Sequence, residues 1–213
     1  MPAIADRAGL VSRGLRLEIL TIAYNSLEAA VSLAAGILAG SIALVGFGAD
    51  SVIEVASGAA LAWRLRADHD TVRRERNERT ALRIVGVCFL LLAAYVAWES
   101  GESLWSRRAP ERSIPGIAIA AASCVVMPLL ARAKRNVARR IGSAALDADS
   151  RQSSLCGWLS AILLAGLALH AALGWWWADP VCALAMAPVI AREGAAALRG
   201  HACGCGGACG RES

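Results

Sequence analysis

The chain has 213 residues, of which 57% are hydrophobic, with a mean hydropathy of +0.51 and a formal net charge of +5. A soluble domain has roughly 45–50% apolar residues, so this composition excludes an ordinary soluble protein and predicts an all-α, polytopic membrane protein. The basic residues fall between apolar segments, which favours the lipid bilayer over a nucleic acid as the partner.

Six apolar segments are long enough to cross a bilayer, and we place them at 17–38, 41–63, 84–105, 114–131, 148–173 and 180–198. This predicts a cytoplasmic N-terminus at 1–16, a six-helix transmembrane domain at 17–198 and a Cys-rich cytoplasmic tail at 199–213. With this orientation, every Lys and Arg except Arg107, Arg108 and Arg112 lies on the cytoplasmic side. The positive-inside rule therefore predicts both termini in the cytoplasm. We expect the membrane to be the plasma membrane.

The second segment carries two carboxylates, Asp50 and Glu54, near its middle. A charged side chain at that depth costs about 2.5–3.5 kcal/mol and is normally retained for a partner or an ion path. The spacing of four places both side chains on one helix face. Two acceptor-only groups one turn apart predict a site for a cation, or for a proton in its absence. The alternative is a structural pair, with one carboxyl protonated and bonded to a neighbouring helix.

Three further polar residues lie at a similar depth. Glu28 is halfway along the first segment, and Gln152 and Cys156 share one face of the fifth. Together with the acidic pair they are predicted to supply oxygen and sulfur ligands to one central site. A thiolate favours zinc, cadmium and similar ions, whereas oxygen alone suits magnesium or calcium. Two alternatives stay open: Glu28 as a helix-pairing residue, and Cys156 as a small core residue.

The tail provides a second set of ligand-type side chains within nine residues, separated by Gly and Ala: His201, Cys203, Cys205 and Cys209. This set predicts a tail that binds zinc or another thiophilic metal. The alternative is an unstructured end whose cysteines have no role.

Charged and polar residues near the helix ends have two readings each. At the predicted inner end of the fifth helix, Asp147 and Asp149 are either a cation entrance or surface charge. Towards the outer ends lie four residues that either line an exit vestibule or cap and solvate the helices: Glu99, Glu102, His170 and Asp179.

Four segments read, in order, GSIALVGFGADSVIEVAS, WESGESLW, SAALDADSRQSSLCGWLSAILLAG and ADPVCALAMAPVIAREG. They resemble the second helix, the end of the third, the fifth and the sixth helix of the cation diffusion facilitators, which are six-helix divalent-metal transporters. In this resemblance Asp50 and Glu54 occupy the family's ligand positions on the second helix. On the fifth helix Gln152 replaces the family's His and Cys156 replaces its Asp. The chain also resembles the short vesicular zinc transporter branch, which lacks the large C-terminal cytoplasmic domain.

We therefore expect a proton-coupled divalent-cation transporter rather than an enzyme. It would export zinc from the cytoplasm, with cadmium, cobalt and iron as alternative substrates, no cofactor and protons as the counter-ion. The resemblance implies a homodimer. The alternative is a membrane-anchored metal sensor that uses the tail and does not transport. A drug or organic-cation exporter is less favoured, because the chain has only two Tyr and two Phe to line a cavity and its seven Trp lie mostly near segment ends.

Overall fold

The computed structural model describes residues 2–66, 71–107 and 110–199. Within these ranges the chain forms six α-helices and no β-strand. The helices are α1 (Pro2–Ala39), α2 (Ile42–Arg66), α3 (Thr71–Ser106), α4 (Ile114–Ile141), α5 (Ala144–Leu173) and α6 (Ala178–Leu198). The predicted all-α fold class is confirmed.

Five stretches of the described chain are long and apolar enough to cross a membrane: Gly9–Ala39, Ile42–Ala59, Gly86–Ser106, Ile114–Ile141 and Asp149–Leu173. The helices extend beyond the apolar segments read from the sequence, since α1 begins at Pro2 rather than 17 and α4 ends at Ile141 rather than 131. Hydropathy marks only the apolar part, whereas backbone hydrogen bonding propagates into polar residues once a helix has formed. The chain is a multi-pass membrane protein, and its division at 16/17 and 198/199 stays a prediction.

The link between α4 and α5 is short and closely defined. Gly142 ends α4 with a φ of 66°, a conformation that favours glycine, and its amide donates to the carbonyl of Ala138. Ser143 follows directly as the N-cap of α5, and its hydroxyl accepts from the amide of Leu146 at 3.3 Å. The two residues reverse the chain, so α5 runs antiparallel beside α4.

The start of α2 is capped from another helix. Asp179, at the beginning of α6, is 1% exposed and accepts from the Ser41 hydroxyl and from the amide of Ile42 at 3.0 Å. Its carboxylate therefore satisfies a free amide at the N-terminus of α2, where the helix dipole also favours negative charge. Of the two roles expected for Asp179, the structure supports a cap, although the residue is buried rather than solvated and the capped helix is α2.

Glycines let α2 lie close to α1. A Cβ added at Gly36 would lie 2.8 Å from the backbone nitrogen of Val45, and one at Gly48 would lie 2.9 Å from the backbone nitrogen of Leu33. No larger side chain fits at either position without moving a helix. Association of helices in lipid depends on such close backbone packing, because apolar burial alone gives little gain there. The contact holds α1 close against the first half of α2.

Candidate metal centre

Two helices bring three ligand-type side chains together in the middle of the bundle. Asp50 and Glu54 come from successive turns of α2 and are 5% and 7% exposed, and Cys156 of α5 is 1% exposed. One ligand atom from each residue lies within 4.8 Å of the other two. Zinc bonds to sulfur and oxygen at about 2.0–2.3 Å, so one ion placed between these atoms needs only small side-chain movements to reach all three.

A small cavity of about 10 Å³ opens beside these three side chains. That volume is close to one water-sized sphere, so the cavity has room for a single ion or water rather than for an organic molecule. Its polar lining consists of Asp50, Glu54, Gln152, Cys156 and Glu193. Its apolar lining consists of Phe89, Leu155, Leu159, Val189 and Ile190. The cavity therefore combines several charged or polar ligands with an apolar wall.

The first helix orients Glu54. The side-chain amide nitrogen of Asn25 donates to Glu54 Oε2 at 2.7 Å, and Asn25 itself is 1% exposed. The Asn25 oxygen has no hydrogen-bond partner within the described residues. This hydrogen bond holds one carboxylate oxygen of Glu54, and such support of a ligand from outside the coordination shell tunes metal affinity.

Glu28, which the sequence placed among the ligands, lies behind the thiol. Its Oε1 accepts from the Ser51 hydroxyl at 2.7 Å and from Cys156 Sγ at 3.6 Å. Its Oε2 accepts from the Ser123 hydroxyl of α4. Glu28 is not one of the three grouped ligands, so its proposed metal contact stays a prediction, and its observed contact is with Cys156.

Gln152 lies at the cavity, one turn before Cys156 on α5. Its Nε2 is buried and has no partner among the residues that the structure describes. The predicted tail ligands His201, Cys203, Cys205 and Cys209 lie outside the described residues. The structure thus brings four of the five predicted membrane ligands to one cavity and the fifth, Glu28, into contact with one of them.

A family model for the cation efflux transmembrane domain matches residues 19–199. The chain belongs to the cation efflux family. This confirms the resemblance carried by the four sequence motifs. A curated relative, an uncharacterized transporter of Synechocystis sp., is 26% identical over 172 residues, which cover 78% of this chain and 56% of the relative. The chain thus spans little more than half the length of that relative.

In this cation efflux protein, Glu193 of α6 also lines the cavity, although no role was predicted for it. It shares a helix face with Val189 and Ile190, which line the same cavity. A single carboxylate next to Arg192 near a helix end is typical of surface charge, which is why it was missed. One feature of the sequence does indicate that Glu193 faces the cavity: it follows Val189 by four residues within an apolar run.

A buried charge cluster lies where α1, α4 and α5 meet. Lys134, the only lysine of the chain, is 0% exposed, and its Nζ lies 3.2 Å from Glu18 Oε1 and in contact with Asp149 Oδ2. Asp149, left open as an entrance or as surface charge, is therefore part of an ion cluster. Asp147 pairs with exposed Arg151 at 2.6 Å, as expected of surface charge.

Proposed function

We propose that the protein transports a divalent transition-metal cation, zinc in the first place, through a site formed by Asp50, Glu54 and Cys156. The observation that carries this proposal is the grouping of three buried ligand atoms within 4.8 Å in a member of the cation efflux family. Cadmium, cobalt and iron are the alternative substrates. Membership of the cation efflux family supports transport out of the cytoplasm, in the expected orientation with both termini on the cytoplasmic side.

The ligand set supports the choice of metal. Two carboxylate oxygens and one sulfur suit zinc or cadmium, whereas magnesium and calcium prefer oxygen alone. A tetrahedral zinc site needs a fourth ligand, and the side-chain oxygen of Gln152 is the candidate on the same cavity. Exchange of the amide nitrogen and oxygen of Gln152 by a flip would direct that oxygen at the ion.

Proton coupling is supported by the contact between Cys156 and Glu28. The thiol must lose its proton to bind a metal, and Glu28 Oε1, 3.6 Å from Sγ, is positioned to accept it. On binding from the cytoplasm, the S–H bond breaks, a sulfur–metal bond and two carboxylate–metal bonds form, and the protons of the thiol and of the two α2 carboxyl groups leave to the cytoplasm, the thiol proton by way of Glu28. On release to the outside, the bonds to the metal break and the same number of protons from outside restores the thiol and the two carboxyl groups. We expect this antiport to operate in a homodimer.

The test is metal flux in proteoliposomes, with zinc, cadmium, cobalt and magnesium compared side by side. The double variant Asp50→Asn with Glu54→Gln is expected to abolish flux of every transported metal. Cys156→Ser is expected to reduce zinc and cadmium flux strongly, and Cys156→Asp is expected to favour zinc over cadmium. Cys182→Ser, a half-buried thiol outside the cavity, is the matched control. Parent-level flux in the double carboxylate variant would exclude this site.

A further inference from the structure

A cleft of about 370 Å³ lies between α1 and α4. It is at the end of the bundle where α1 begins and α4 ends, and it shares no lining residue with the metal site. Arg13 of α1 and Arg139 and Arg140 of α4 line it, together with the side chain of Asn136. Among the residues that the structure describes, no acidic side chain lines the cleft. Its rim therefore offers three guanidinium groups and one amide, drawn from two helices.

These arginines have no acidic partner among the residues that the structure describes. Within the part of the chain that the structure describes, neither Arg13 nor Arg139 nor Arg140 has a carboxylate within 4.0 Å. Other arginines near this end do have partners, since Arg151 binds Asp147 and Arg135 donates to Ser154 at 3.3 Å. Three like charges around one cleft repel one another unless an anion lies between them.

The floor of the cleft is apolar. Val137 is 3% exposed, and Leu10 is partly buried beside it. Gly14 faces Val137 one turn after Leu10, and a Cβ there would lie 3.6 Å from Val137 Cγ1. That distance is an ordinary van der Waals contact, so α1 packs against α4 at this level. A basic rim over an apolar floor, beside membrane-spanning helices, fits a molecule that is anionic at one end and apolar at the other.

We propose that this cleft binds the phosphate of an anionic phospholipid headgroup. The planar guanidinium groups match phosphate oxygens in pairs of parallel hydrogen bonds, and Asn136 adds a further donor. The start of an acyl chain then lies on Leu10 and Val137. Basic pockets between transmembrane helices are suited to anionic headgroups for these reasons. Inorganic phosphate shares the headgroup chemistry but has no chain for the apolar floor.

The test measures phosphatidylglycerol retained by the full-length protein in detergent, counted by native mass spectrometry, with phosphatidylcholine and inorganic phosphate as competitors. The variant R13Q/R139Q/R140Q is expected to bind phosphatidylglycerol about tenfold more weakly or worse. The variant R132Q/R151Q/R199Q removes the same charge from outside the cleft and is expected to bind like the parent. The conservative variant R13K/R139K/R140K keeps the charge but lacks the planar guanidinium groups. Its affinity for phosphatidylglycerol is expected to lie between those of the two glutamine variants.

Equal loss in the two glutamine variants would overturn the proposal, because binding would then follow the general positive field. Equal retention of phosphatidylcholine would also overturn it. Displacement of phosphatidylglycerol by inorganic phosphate at equal concentration would assign the cleft to free phosphate instead of lipid. Tryptophan fluorescence of each variant reports whether it is folded, and the lysine variant tests the proposal even if the glutamine variant unfolds.

Discussion

Replacement of Lys134 by methionine tests the buried ion cluster. The lysine side chain and that of Glu18 are both 0% exposed, and that of Asp149 is 14% exposed. Lys134→Met removes the one cation and leaves two carboxylates facing each other across an apolar gap. Removal of one partner from a buried ion pair costs about 3–5 kcal/mol of stability. Most of this loss is expected to come from Glu18, because Asp149 can turn towards water.

The double variant Lys134→Met with Glu18→Met separates this reason from a loss of packing. An apolar replacement of similar volume for a buried pair is often neutral, so the double variant is expected to regain most of the lost free energy of unfolding. The assay is unfolding in SDS followed by tryptophan fluorescence. Arg132→Met, at an exposed position on the same helix, is the control and should change stability by less than about 0.5 kcal/mol. A single variant as stable as the parent, or a double variant no better than the single, would refute the reasoning.

Three further predictions concern the metal path. Glu193→Gln is expected to weaken metal affinity about tenfold in flux assays, with surface Asp147→Asn at the parent level; equal effects would remove Glu193 from the path. Asn25→Ala breaks the hydrogen bond to the α2 carboxylate and is expected to weaken zinc binding about 10–100-fold, measured by calorimetry against exposed Ser26→Ala. Deletion of 201–213 is expected to leave zinc flux at the parent level; a parent without flux, whose metal response is abolished by this deletion and kept by the double carboxylate variant, would favour the sensor alternative.

The position of the acidic pair could be predicted from the sequence because it depends only on residues that are close together in the chain. Two carboxylates four apart in an apolar run must share a face and must be buried, whatever the neighbouring helices do. Cys156 required one further step, an estimate of depth along α5, and the structure places its sulfur within 4.8 Å of the pair. Helix number and fold class followed from hydropathy in the same way.

The remaining features depend on how the helices rotate and pack, which periodicity in a uniformly apolar helix does not fix. Glu28 turns towards Ser51 and Ser123, so its carboxylate is occupied by hydroxyls of two other helices. Glu193 reaches the cavity only because α6 packs against α2 and α5. Asp179 caps a helix that begins 137 residues earlier in the chain. Each of these contacts joins distant segments through small residues and polar bonds that local patterns do not reveal.

The coordination shell of bound zinc tests the central proposal most directly. X-ray absorption at the zinc edge is measured on protein in which the tail thiols are removed as Cys203→Ser, Cys205→Ser and Cys209→Ser. The proposal predicts one sulfur at about 2.3 Å with oxygen ligands at about 2.0–2.2 Å, and loss of that sulfur on Cys156→Ser. A shell without sulfur, or one that Cys156→Ser leaves unchanged, would contradict a site formed by Asp50, Glu54 and Cys156.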